Sequence, residues 1–145
     1  MMSKAVWALP VITLILISII SVFIALFSRV QALREGRISI DDFGLMNFCQ
    51  QKNPWLVVTS RHLEELFQTP ILFYVVMVII MNDSQLMSIT YFLVLAWLFT
   101  GFRILHSLIH LTYNNTVHRL AIFLTSNTFL LAMIIMLMIE LIMRQ

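Results

Sequence analysis

Four apolar runs constrain this chain more than any other feature: residues 5–28, 55–81, 86–112 and 117–143. A helix rises about 1.5 Å per residue, so about 20 residues cross a hydrocarbon core about 30 Å thick. Inside that core every backbone N–H and C=O must be paired within the structure, which leaves helices or a closed barrel. Barrel strands alternate apolar and polar residues, whereas these runs are continuous. The expected fold class is therefore all-α, an integral membrane four-helix bundle. A hydrophobic content of 61%, a charged content of 11% and a mean hydropathy of +0.96 lie outside the range of soluble domains. Four spans leave little of the 145 residues for any soluble domain, so 1–145 reads as a single four-span membrane domain.

The connections set the orientation. Lys4 precedes the first run, which is too long for a signal-peptide core and is followed by no small-residue cleavage site, so an uncleaved first helix is expected. Residues 28–54 form the longest polar joint, in which Ile38, Ile40, Phe43 and Leu45 suggest a short amphipathic element at the interface. Arg29, Arg34, Arg37, Lys52 and Arg119 fall on one side of the four-span topology, and only Lys4 and Arg144 on the other. The positive-inside rule then places both termini outside the cytoplasm. Asn82-Asp83-Ser84 and Asn114-Asn115 read as turns, and Glu140 can pair with Arg144 one helical turn on. The net charge of +2 is small, and no nucleic-acid partner is expected.

This topology gathers polar groups at one membrane face. In the second run Arg61, Glu64, Glu65 and Gln68 share a helical stripe; in the third Arg103, His106, Ser107, His110 and Asn114 do; Arg119 opens the fourth. Each ionisable group at membrane depth costs roughly 2.5–3.5 kcal/mol, so several together must face each other, a partner chain or a water-filled pocket. If they merely pair, the expected partners are Arg61 with Glu65, Arg103 with Glu64 or Glu65, and the histidines with backbone or Ser107. If they form a site, arginines fork onto carboxylates or phosphates and would favour the thiolate form of a bound thiol. A cationic site beside lipid suits an anionic, water-soluble cosubstrate together with a lipophilic partner.

Other chemistries have weaker signals. His106 and His110 are spaced i, i+4, but the remaining histidines, His62 and His118, show no convergence in the sequence, and no metal site is expected. An ion path would need polar residues in the outer halves of the spans. Cys49 sits in a loop, far along the chain from any evident base. The ten methionines read as flexible packing.

Three segments carry a resemblance: Glu65-Leu-Phe-Gln-Thr-Pro-Ile-Leu-Phe-Tyr74, Phe102-Arg-Ile-Leu-His-Ser-Leu-Ile-His-Leu-Thr-Tyr-Asn-Asn115, and His118-Arg119. With them the chain resembles the MAPEG family, membrane-associated proteins in eicosanoid and glutathione metabolism, and within it a bacterial branch. The resemblance implies a homotrimer of four-helix bundles, in a bacterial inner membrane, with glutathione between neighbouring subunits in the cytoplasmic leaflet. Arg103 and His106 match the family's Arg-x-x-His, and Arg119 matches the arginine that opens its last helix. His110 replaces a family tyrosine, and Glu65 and Gln68 stand where the family has Asn and Glu. The implied function is to bind glutathione or a similar anionic thiol as cosubstrate, for conjugation to a lipophilic small molecule or reduction of its peroxide. Arg61, Glu65, Gln68, Arg103, His106, Asn114 and Arg119 would bind the ligand, with Glu65 holding an amino group. Arg119 and His110 would act in catalysis. The alternative is a non-catalytic membrane trimer that binds lipid or a partner membrane protein.

Overall fold

A computed structural model of the chain describes residues 3–37 and 54–144. Four long helices account for almost all of them: α1 (Lys4–Arg34), α2 (Pro54–Asn82), α3 (Thr90–Leu111) and α4 (Thr116–Met143). All four are long and apolar enough to cross a membrane, and no strand occurs among the described residues. The third apolar run is not one helix throughout. Its first residues, Leu86–Ser88, form a 3-10 turn, because Asp83 Oδ1 accepts the Gln85 and Leu86 N–H groups at 2.7 and 3.3 Å and delays the start of α3. The interfacial stretch Ile38 to Leu45 and Cys49 lie outside the described residues.

Contacts fix an antiparallel arrangement. Ser21 meets His62 and Ser28 meets Thr59 between α1 and α2; His106 meets Arg119 and Tyr91 meets Glu140 between α3 and α4. One end of the bundle therefore carries the start of α1, the end of α4 and the Asp83 turn, and the opposite end carries Arg34 and the Asn114 turn. The outer faces are apolar: Leu16, Ile20, Phe23 and Phe27 on α1, and Leu124, Leu131, Met138 and Ile142 on α4, are all exposed. That extent of open apolar surface fits a bilayer and not water.

The interior divides along the helices. Toward the terminal end it is a dry core of Trp7, Leu14, Phe73, Met77, Ile80, Phe92, Phe99, Met133 and Leu137. Phe73 stacks on Phe99 with centroids 4.7 Å apart, locking α2 to α3. Toward the other end the buried side chains turn polar: Ser28, Thr59, His62, Arg103, His106, Ser107 and His110. The polar half is thus confined to one end.

Helix α1 runs to Arg34, beyond its apolar stretch, and closes with a left-handed Gly36 at φ 66. The Gly36 N–H donates to Leu33 and the Arg37 N–H to Ala32, at 3.1 and 3.0 Å, a Schellman closure. A methyl group at Gly36 would meet nothing within 4 Å, so only backbone strain opposes it. Gly36→Ala is expected to cost about 1 kcal/mol, read as a lower midpoint in thermal unfolding of the detergent-solubilised protein.

At the terminal end Arg144 Nη1 donates to Asp83 Oδ2 at 2.8 Å, while its Glu140 contact is longer, at 3.9 Å. Glu140 Oε1 instead accepts the Tyr91 hydroxyl at 2.8 Å. The Gln85 N–H, then the Leu86 N–H and Arg144, hold the Asp83 carboxyl below its usual value of 3.8. A carboxylate with a depressed native pKa contributes stability that is complete above its unfolded value and is lost as pH falls through the native one. Thermal stability should therefore drop on acidification below pH 3.8, and Asp83→Asn should flatten that part of the profile.

Candidate functional site

The polar half is assembled from three helices, and α2 sets its register. Thr59, His62, Leu66, Phe73, Val76, Met77 and Ile80 form the buried stripe of α2. Glu65 sits at the edge of that stripe, half-buried. At about 100° per residue, His62 lies on the inner side of Glu65. Arg61 and Gln68 lie on its outer side and are exposed.

On α3, Arg103, His106 and His110 are one turn apart and all buried. Glu65 Oε2 lies 2.9 Å from His106 Nε2 and 3.8 Å from His110 Nε2. His106 Nδ1 is 3.3 Å from the Arg119 carbonyl oxygen, so one imidazole joins α2, α3 and α4. Arg119, in the first turn of α4, donates from Nη1 to His110 Nε2 at 3.3 Å and to Asn114 Oδ1 at 3.1 Å. A guanidinium only donates, so His110 Nε2 accepts and its proton sits on Nδ1, which is buried without a partner. The turn between the helices supports this grip. Asn114 takes a left-handed φ of 45, and Asn115 caps α4 by accepting the Val117 and His118 N–H groups at 3.0 and 3.2 Å.

Arg103 is fully buried yet meets no carboxylate. Its Nη2 donates to Asn127 Oδ1 at 3.1 Å, and Nε and Nη1 have no partner. The guanidinium lies between Phe99 and Phe123, 5.3 and 4.9 Å from the two ring centroids.

A cavity of about 200 Å³ opens among Glu65, His106, Thr116, Arg119, Leu120 and Phe123. It unites expected site residues from all three helices. Arg103 stands behind Phe123, His110 behind Arg119 and Glu65, and Asn114 touches Arg119 from the turn. Arg61 and Gln68 do not line it. The simple pairings of Arg61 with Glu65, and of Arg103 with Glu64 or Glu65, do not form, because Glu65 turns inward to the imidazoles and Arg103 to Asn127.

Two residues of this half had no assigned role in the sequence reading. His62 does converge: its ring is 4.9 Å from His110 and 6.4 Å from His106, and Nε2 is 3.3 Å from the Ser21 hydroxyl of α1. The signal was its spacing from Thr59 and Leu66 on the buried stripe. Asn127 is the other, an amide isolated in an apolar run. Despite the added histidine, no three His, Cys, Asp or Glu side chains among the described residues are placed to hold one metal ion.

A family model described as MAPEG family matches residues 6–139 of the 145. No curated protein and no solved structure matches the chain.

Proposed function

The chain belongs to the MAPEG family, and from that premise and the cavity's geometry we propose that it binds glutathione or a similar anionic thiol at Glu65, His106 and Arg119. One observation carries the reading. Arg119 faces the cavity, is held by two neutral acceptors, His110 and Asn114, and forms no ion pair among the described residues. No carboxylate contacts the guanidinium, although Glu65 lines the same cavity, so its remaining N–H groups are open to a ligand anion. Glu65, the carboxylate lining the same cavity, supplies a counterpart for a ligand's amino group.

In this reading Arg119 fixes the anion and keeps a bound thiol as thiolate, the nucleophilic form. His110 orients Arg119 through Nε2, and His106 orients Glu65. Arg103 adds positive potential from behind Phe123 without touching the ligand. A lipophilic molecule from the bilayer would be conjugated to the thiolate, or a lipid peroxide reduced by it. At about 200 Å³ the cavity is smaller than the roughly 300–1,000 Å³ of small-molecule sites. A homotrimer would close it with a neighbouring subunit, whose exposed Arg61 and Gln68 could then reach the ligand. The loop charges support a cytoplasmic position for this end, with both termini outside.

The test is the thermal stability of the detergent-purified protein with and without millimolar glutathione at fixed salt. A ligand at 100 times its Kd adds about 2.7 kcal/mol to the native state, a clear rise in Tm. An unchanged Tm across the millimolar range would sink the thiol reading. It would favour a non-catalytic trimer, in which His106 and Arg119 only hold α2, α3 and α4 in register.

A further inference from the structure

His106 makes two contacts that a neutral ring cannot both satisfy. Its Nδ1 lies 3.3 Å from the Arg119 carbonyl oxygen, and its Nε2 lies 2.9 Å from Glu65 Oε2. A carbonyl and an ionised carboxylate only accept, and a neutral imidazole has one N–H. A proton on Nδ1 leaves the Nε2 lone pair against the carboxylate; a proton on Nε2 leaves the Nδ1 lone pair against the carbonyl. His106 is 1% exposed, so water relieves neither clash. A ring with two N–H groups satisfies both oxygens. The 2.9 Å separation also fits a charge-assisted N–H···O bond, for which about 2.7–2.9 Å is usual.

No neighbouring group supplies that second proton. His110 Nε2, 3.8 Å from the same Glu65 oxygen, accepts from Arg119. On α2, His62 turns Nε2 to Ser21 and keeps its ring 6.4 Å from that of His106, while Arg61 and Glu64 are exposed. The guanidinium of Arg119 donates to His110 and Asn114, and that of Arg103 to Asn127. Both guanidiniums oppose a further positive charge in this half. Glu65, however, is bonded directly to the His106 ring, and their N–H groups are bonded elsewhere.

We propose that Glu65 and His106 store one extra proton, resting on the imidazole, and deliver it to an oxygen atom of the lipophilic substrate. This rests on the thiol reading of the cavity and narrows its substrate class to a hydroperoxide. Of the two reactions open to the bound thiolate, peroxide reduction is the one that always expels an alkoxide. The thiolate sulfur attacks the terminal oxygen: an S–O bond forms, the O–O bond breaks, and its electron pair stays on the alkoxide oxygen. That oxygen takes the stored proton and leaves as an alcohol, while sulfur is oxidised to a sulfenic acid. A second thiol then displaces water from the sulfenic acid to give a disulfide. The proton that the first thiol loses to solvent is matched by one that the pair regains from solvent. Both residues line the cavity, but the Glu65 side chain is 26% exposed and that of His106 is 2%. A shift of the proton along their bond makes Glu65 a carboxylic acid facing the substrate. Glu65 is therefore the catalytic acid, and His106 the positioning residue behind it.

Nitrogen NMR of the purified full chain with isotope-labelled histidine, near neutral pH and without glutathione, reads the ring protons directly. One histidine should show both ring nitrogens protonated. Glu65→Gln, which keeps the shape of the side chain, should return that ring to a single N–H, because the glutamine amide can donate to a bare Nε2. No doubly protonated ring in the wild type, or one that Glu65→Gln leaves unaltered, would overturn the proposal. Turnover at saturating glutathione tests delivery. Glu65→Gln should lower kcat for cumene hydroperoxide at least about tenfold further than kcat for 1-chloro-2,4-dinitrobenzene, whose departing chloride takes no proton. Equal losses would also overturn the proposal and leave the pair as a tie between α2 and α3. A glutathione-dependent rise in Tm together with a singly protonated His106 removes this proposal and keeps the thiol reading. No rise in Tm removes the thiol reading, and the delivery step with it.

Discussion

Arg103→Ala is expected to destabilise the protein by about 3–5 kcal/mol, and Arg103→Met by no more than about 1 kcal/mol. Arg103 is fully buried, and its side chain fills the space between Phe99 and Phe123. Alanine empties that space, removes both ring contacts and leaves the Asn127 amide without its 3.1 Å donor. Each of these terms is unfavourable, and the cavity is the largest. Methionine keeps most of the volume and places a polarisable sulfur near the rings. It also removes a buried charge whose Nε and Nη1 are unpartnered, so the lost attraction is offset by the lost desolvation. Unfolding of the two variants in the same detergent, without ligand, separates volume from charge. If methionine proved as damaging as alanine, the charge itself would be holding α3 to α4 through Asn127. The role of Arg103 as a background potential for the Glu65 cavity would then be untenable.

The contrast between Arg103 and Arg119 shows what the sequence could and could not convey. Both arginines stand near the same end of apolar runs, and both read as anion ligands. Run length and continuity located all four helices, because backbone pairing in hydrocarbon permits little else. The gathering of polar groups at one end followed from antiparallel topology alone. What the sequence left open was rotation. Arg61, Glu65 and Gln68 share a polar face, yet an angular offset of about half a quadrant decides which of them turns inward. The larger apolar stripe through Leu66, Phe73 and Met77 settles it, carrying His62 in and Arg61 out. The sequence shows no convergence of His62 with His106 and His110, which lie on another helix; its place on that stripe is what brings it to them. Pairing also escaped. Asn127 lies 24 residues from Arg103, and only the α3–α4 packing shows that a neutral amide, not Glu64 or Glu65, takes the guanidinium.

Arg119→Gln is expected to weaken glutathione binding by about 30- to 100-fold while leaving Tm without ligand within a few degrees of wild type. Charge-assisted hydrogen bonds contribute about 1.5–3 kcal/mol each, and about 1.4 kcal/mol corresponds to a factor of ten in Kd. The small effect on the apo protein follows from position. Arg119 is half-buried at the start of α4, and the Asn115 cap of that helix does not involve its side chain. His110 and Asn114 lose a shared donor, but both are neutral, and Glu65 keeps its 2.9 Å contact with His106. Arg119→Lys should recover part of the affinity and not all of it, since an ammonium supplies the charge without the two-pronged geometry. Titration calorimetry of the three proteins at one salt concentration gives the comparison, with Arg103→Met as a reference in which charge is removed behind Phe123 instead of within the cavity. An order of loss with Arg119→Gln greatest, Arg119→Lys intermediate and Arg103→Met least places the anion at the mouth of α4. Equal affinity in wild type and Arg119→Gln would mean that the unneutralised guanidinium serves only to hold His110 and Asn114. The Glu65 cavity would then be a helix-registering element and not a binding site.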